Sequence, residues 1–161
     1  MAVAAVRPLL KNAVMNSKNR TPAIGKEQLE ALSEFRYQLR RFLRFSEKAT
    51  RREGITPLQY QLLLHVCGFP GRDWATVGEI AERLQAQPHG VLALISRCEA
   101  NGLVSRKRSV RDRRQVEVRL RPKGVRCLEK LAAMHHAELT SLRGTIQISR
   151  LTARDVNDHL P

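Results

Sequence analysis

The chain has 161 residues, 29 Lys and Arg against 15 Asp and Glu, and a formal net charge of +14. That length supports one domain or little more with a real core, and so basic a balance calls for an anionic partner. Cys67, Cys98 and Cys127 are odd in number and form no CxxC pair, which excludes a disulfide framework or zinc finger and points to reduced thiols in a cytoplasmic protein; no apolar run approaches a membrane span.

Residues 1–27 read as an N-terminal arm, because Arg7, Pro8 and Lys11 interrupt the apolar start and no signal-peptide order is present. A first long helix follows over about Lys26–Glu53. Its apolar face is Leu29, Leu32, Phe35, Leu39 and Phe42, and Arg36, Arg40, Arg41 and Arg44 lie on the other. Thr56-Pro57-Leu58-Gln59 is a helix start with a capping residue, a proline at the first position and a capping-box glutamine. That helix runs to about Cys67, and Gly68–Asp73 is a turn by composition. Thr76 and Glu79 form a second capping box opening a short helix, about Val77–Gln85. Another begins near Gln87 or Pro88 and ends at Ala100, with Val91, Leu94, Ile95 and Cys98 inward and Asn101-Gly102 as the stop.

Leu103–Arg108 and Gln115–Leu120 then read as strands joined by a tip at Ser109–Arg114. Val104–Gly124 holds nine Lys and Arg against Asp112 and Glu117, a net +7 and half of the chain's charge. A last helix, about Pro122–Ile146, carries a seam of Val125, Leu128, Ala132, His135, Leu139, Leu142 and Ile146 at heptad spacing. A short terminal helix starts near Leu151-Thr152.

Two short helices, a tight turn and a basic hairpin make a winged helix-turn-helix. The fold class expected is mainly α with a small β-hairpin wing. Residues 56–121 form a DNA-binding lobe, and 28–55 with 122–161 form a helical dimerisation region. The second short helix is slim enough for a major groove, the hairpin reaches the neighbouring minor groove, and a two-fold dimer sets two such helices about one DNA turn apart.

Three stretches resemble the MarR family of bacterial transcription regulators: ITPLQYQLLLHV, VGEIAERLQAQPHGVLALISRCEANGLVSR, and DRRQVEVRLRPKG with Asp112, Arg114, Val118, Leu120 and Gly124 in the family's wing pattern. With the flanking helices the resemblance runs from about Leu29 to the C-terminus. The chain departs from the pattern at Arg121, where a Thr is usual, and at Gly90, Leu92 and Ala93, where many members carry hydroxyl or basic groups. Fewer polar base readers remain there, so apolar and shape contacts carry more of the recognition.

The resemblance implies a homodimer on double-stranded DNA. It is read as a repressor at a pseudo-palindromic promoter site, released by an effector. In the reading helix, Gln87, Pro88, His89 and Gly90 lie where base edges are reached. Leu92 offers an apolar contact, and Ser96 and Arg97 touch phosphate. In the wing, Arg111 and Arg113 are the minor-groove candidates, Asp112 braces the tip through Arg114, and Arg106, Lys107 and Arg108 contact phosphates. Family members bind aromatic acids between the dimer helices and the lobe; here Tyr60 and Trp74 frame such a pocket, with Arg36, Arg40 or Arg44 for a carboxylate. His65 and the adjacent His135-His136 do not have metal-ligand spacing, and residues 1–66 contain no cysteine for a redox sensor. Neither a cofactor nor a metal is assigned. The alternatives are a redox- or metal-responsive regulator of the same fold, or a non-specific DNA-binding module. The sequence holds no phosphate loop, nucleophile grouping or paired acids of an enzyme.

Overall fold

A computed structural model describes residues 24–109 and 115–142. The N-terminal arm, the hairpin tip and everything from residue 143, including Ile146 and the expected terminal helix, lie outside the described residues. In chain order the elements are α1 (Lys26–Arg52), α2 (Pro57–Cys67), β1 (Trp74–Thr76), α3 (Val77–Leu84), α4 (Pro88–Ala100), β2 (Val104–Arg108), β3 (Val116–Leu120) and α5 (Pro122–Ser141).

Local chemistry sets most of these boundaries. The Gln59 N–H donates to Thr56 Oγ1 at 3.2 Å, and the Thr56 N–H donates to Gln59 Oε1 at 2.9 Å. Thr76 and Glu79 repeat the arrangement at 2.8 and 3.3 Å. Each box satisfies two N–H groups that the helix start leaves unpaired. α3 ends on Gln85 in the left-handed region, φ 50°, and the Ala86 N–H returns to the Ala81 carbonyl at 2.9 Å. Only Gln85, Ala86 and Gln87 then separate α3 from α4. α4 stops at Asn101-Gly102, where Gly102 adopts φ 70° and the Leu103 N–H bonds back to the Cys98 carbonyl at 2.9 Å.

The sheet has three antiparallel strands in the order β1-β3-β2, with Ala75 opposite Val118 and Arg106 opposite Val118 on the other side. β1 was not expected from the sequence. Three residues are too short for alternation to show, and their partner lies more than forty residues away. The core beneath the sheet is built from Leu62 and Leu63 of α2, Ile80 of α3, Ile95 of α4 and Val118, each fully buried. It continues into Ala49 of α1 and Leu128 and Leu131 of α5, so lobe and long helices share one core.

Two expected apolar faces are revised. On α1, Leu29 and Leu32 are exposed and Phe35, Leu39 and Phe42 are half-buried, whereas Gln38, Ser46, Ala49 and Thr50 are buried. On α5, Leu128, His135 and Leu142 are buried as the seam requires, but Val125 and Leu139 are exposed and the unassigned Leu131 is fully buried. A straight helix turns 3.6 residues per turn, so a 3.5-residue seam drifts off the line of contact.

His135 joins three helices. Its Nδ1 lies 2.7 Å from the Leu131 carbonyl within α5, and its Nε2 lies 2.9 Å from Ser46 Oγ of α1. A carbonyl only accepts, so Nδ1 carries the proton in the contact with Leu131. The ring stacks on Tyr60 of α2 at 4.4 Å and meets Phe42 and Phe45 edge-on at 5.8 and 5.4 Å.

Gly124, in the first turn of α5, is pressed against the chain leaving α4. A Cβ there would stand 2.1 Å from the Leu103 carbonyl oxygen, a backbone atom with no freedom to retreat. The same carbonyl accepts the Arg121 N–H at 2.9 Å. Gly124→Ala is therefore expected to destabilise the protein by about 3 kcal/mol through overpacking, read as a lowered midpoint in urea denaturation; an unchanged midpoint would refute the contact.

Candidate nucleic-acid interface

α4 has two unlike sides. Val91, Leu94, Ile95 and Cys98 are buried in the core. Gln87, Pro88, His89, Gly90, Leu92, Ala93, Ser96 and Arg97 are all exposed. All seven residues expected on the reading helix thus lie on its free side or at its start. Gln87 is the N-cap residue and makes no side-chain cap hydrogen bond, and Pro88 takes the first turn, where no N–H is needed. A Cβ on Gly90 would meet nothing within 4 Å. Nothing inside the chain requires glycine at that position, and the missing side chain leaves the backbone bare toward solvent.

The hairpin is anchored at its base by Ser109, whose N–H donates to the Gln115 carbonyl at 3.0 Å. Ser109 is buried at 4% exposure, although sequence placed it in the tip. Its side chain, followed by Arg119 and Lys107, holds the Glu117 carboxyl below the usual carboxylate range against the opposing effect of burial. Arg111, Asp112, Arg113 and Arg114 lie outside the described residues.

Several of the hairpin's cations are engaged internally. The Arg106 guanidinium, expected on a phosphate, is committed to Glu99 of α4 at 2.7 and 2.9 Å, and its N–H donates to the same carboxylate at 3.2 Å. The hydrogen bond from the guanidinium is the main reason the Glu99 carboxyl is depressed, and the backbone N–H of Arg106 adds to it. Arg119 joins Asp73 at 2.8 Å to Glu117 at 3.1 Å, and Lys123 donates to the Asn101 carbonyl at 2.9 Å. Lys107 and Arg108 are exposed at the outer end of β2. Sequence reasoning missed the Glu99–Arg106 brace, although the two residues flank the Asn101-Gly102 reversal that folds β2 back along α4.

The four residues expected around an effector pocket stand in different settings. Tyr60 is buried against His135, and that burial raises its hydroxyl pKa. Trp74 carries the Arg72 guanidinium 3.8 Å from its ring centre, and Arg72 in turn pairs with Glu79. Arg36 and Arg40 are exposed on α1. A shallow cleft of about 390 Å³ instead lies between the α1–α2 turn, the exit of α4 and the start of α5, lined by Ile55, Leu103, Lys123, Arg126 and Cys127 among others. Among the described residues no group of three His, Cys, Asp or Glu could hold a metal ion, and no helix is long and apolar enough to cross a membrane.

Burial pushes the Cys98 thiol beneath the reading helix up to about 11 from 9.0, against the smaller opposing effects of Gln59 and Arg97. The folded state therefore holds it neutral. Its contribution to stability is present below the ordinary thiol value and is lost as pH rises toward the folded one. Mass-spectrometric mapping after alkylation near pH 8 is expected to find Cys67, which is exposed, modified and Cys98 untouched until the protein is unfolded. Gly90→Ala should raise the denaturation midpoint by up to about 1 kcal/mol, because the site is helical and roomy; a loss of stability would mean that the position is strained.

Residues 53–115 match the family model described as MarR family. A curated protein of Thauera aromatica, named as a transcriptional regulatory protein for the hcr operon, is 27% identical over 96 residues, covering 60% of this chain and 56% of that protein, so the chain spans about half the length of the curated relative it matches. The structure of a MarR family protein from Bacillus stearothermophilus superposes with a TM-score of 0.64 at 25% identity, covering 76% of this chain and 84% of that one. A mutant S. aureus MepR bound to an oligodeoxyribonucleotide shares the fold, with a TM-score of 0.57 at 21% identity over 67% of this chain and 78% of that one. The elements α2–β1–α3–α4–β2–β3 lie almost wholly within the matched segment, so this part of the chain is similar in sequence and fold to the MarR family of transcription regulators.

Proposed function

We propose that the chain is a DNA-binding transcription regulator that acts as a homodimeric repressor on a pseudo-palindromic promoter site. The observation that carries the reading is the free side of α4: residues from Gln87 to Arg97 are exposed along it while its other side is locked in the core. A helix held in that way can enter a major groove and offer Gln87 to an adenine edge, with the Gly90 backbone close behind. Lys107 and Arg108, with the tip arginines beyond them, supply the flanking phosphate and minor-groove contacts.

Apolar surface on the long helices supports the dimer. Ile24, Leu29 and Leu32 at the start of α1 are 55%, 53% and 41% exposed, and Leu139 near the end of α5 is 50% exposed. Covering such residues with a second copy stabilises each by roughly 1 kcal/mol or more. A two-fold pair sets the spacing of the two α4 helices, and the release step is assigned to a small aromatic acid bound where α1 and α5 meet the lobe. Only a ligand with unequal affinity for two spacings can shift them.

Gel-shift titration against the chain's own promoter region tests the reading. Log affinity should fall linearly with log salt, with a slope of about 0.9 per phosphate neutralised. Arg111→Ala with Arg113→Ala should weaken binding about tenfold or more without lowering thermal stability, as loss of two desolvated charge contacts implies. Undetectable or salt-independent binding would overturn the function, and an unaffected double variant would overturn the role of the wing tip.

A further inference from the structure

The reader and wing leave one dense block of charge unused. Between Arg36 and Arg52, α1 carries seven cations against the single acid Glu47, a net +6 in a chain of net +14. All seven are exposed, and none forms an ion pair among the described residues. Arg36, Arg40, Arg44 and Lys48 recur every four residues and Arg51 follows three later, so they form one stripe. α1 packs on α2 and α5 through Phe42, Phe45, Ser46 and Ala49. At 100° per residue the stripe lies on the opposite side of the helix from these contacts. It therefore faces away from the lobe that presents α4.

Such a row repels itself, and among the described residues no acid pairs with it to offset that repulsion. Its chemistry selects a phosphate backbone. Six of the seven cations are arginines, whose planar fork matches phosphate better than an ammonium does. Successive members rise about 6 Å along the axis, and the stripe from Arg36 to Arg51 is about 22 Å long, rigid because it is helical. Tyr37, 58% exposed and with the Arg41 guanidinium 5.9 Å from its ring centre, adds a hydroxyl donor. An acidic protein partner would need an apolar centre to its contact, and on this stretch of α1 only Tyr37 and Leu43 are large exposed hydrophobics.

We propose that the outer face of α1 is a second, sequence-independent surface for duplex DNA, binding the backbone of a segment other than the one read by α4 and the wing. Resting on the regulator reading above, this makes each subunit a bridge between two duplexes.

The test uses the full chain, an immobilised promoter duplex and a labelled random-sequence duplex. Wild type is expected to recruit the labelled duplex to the immobilised one. The variant Arg40→Gln/Arg44→Gln/Lys48→Gln/Arg51→Gln, checked for unchanged helicity, should hold the promoter duplex within about twofold. It should lose recruitment by about tenfold or more, and the salt slope of the second event should fall by roughly 3 to 4, near 0.9 per lost contact. Absence of recruitment by wild type, or equal recruitment by the variant, overturns the proposal. Displacement by polyglutamate as readily as by DNA at equal charge overturns the DNA assignment in favour of an acidic protein. If wild type fails to hold the promoter duplex, the regulator reading fails instead. The stripe is then judged by binding of random duplex in an Arg111→Ala/Arg113→Ala background with and without the four substitutions; equal affinity of the two overturns it.

Discussion

The reading helix, the wing and the last long helix share one frame through the Leu103 carbonyl. It accepts the Arg121 N–H and lies where a Cβ of residue 124 would have to be. Leu103 is the residue at which α4 has just ended and β2 is about to begin. Residues 121–124 are where β3 has ended and α5 begins. One polar contact and one absent side chain therefore fix the exit of the reader, both strands of the wing and the first turn of α5 relative to one another. The core beneath them can be assembled from many apolar residues; this junction allows only glycine.

Around that frame the arginines divide into two kinds of work. Arg106 bonds to Glu99, Arg119 to Asp73 and Glu117, and Arg72 to Glu79 and the face of Trp74. These pairs tie β2 to α4, β3 to the turn ahead of β1, and that turn to α3, and they leave fewer bare carboxylates on a basic surface. Exposed pairs of this kind contribute little stability singly. Their value is geometric, because a bonded guanidinium holds the wing at a set angle to α4. Lys107, Arg108 and Arg97 remain exposed and carry charge outward. A count of basic residues along the hairpin merges the two kinds.

Features decided within a few residues were legible in the sequence. The capping boxes at Thr56 and Thr76 and the buried set of α4 appear where the spacing of side chains put them. Long-range decisions were not. β1 depends on β3 for its existence, Leu131 rather than Val125 or Leu139 faces the core where α5 packs on α2, and Arg106 turns to an acid that only the folded reversal brings near. At the site, exposure of the reading residues followed from helical periodicity, whereas no local pattern announces that Tyr60, expected to frame a pocket with Arg36, Arg40 and Trp74, stacks on the buried His135.

The turn between α3 and α4 has a kinetic consequence. Gln85 occupies a left-handed conformation without being glycine, and the Ala86 N–H closes the turn onto Ala81. A three-residue link so constrained leaves α4 little angular freedom before it meets a partner. The helix arrives already ordered, so α4 itself need not be immobilised during encounter. For the DNA complex proposed above, association is then expected to be steered by the field of a +14 chain, with a rate constant that falls as ionic strength rises.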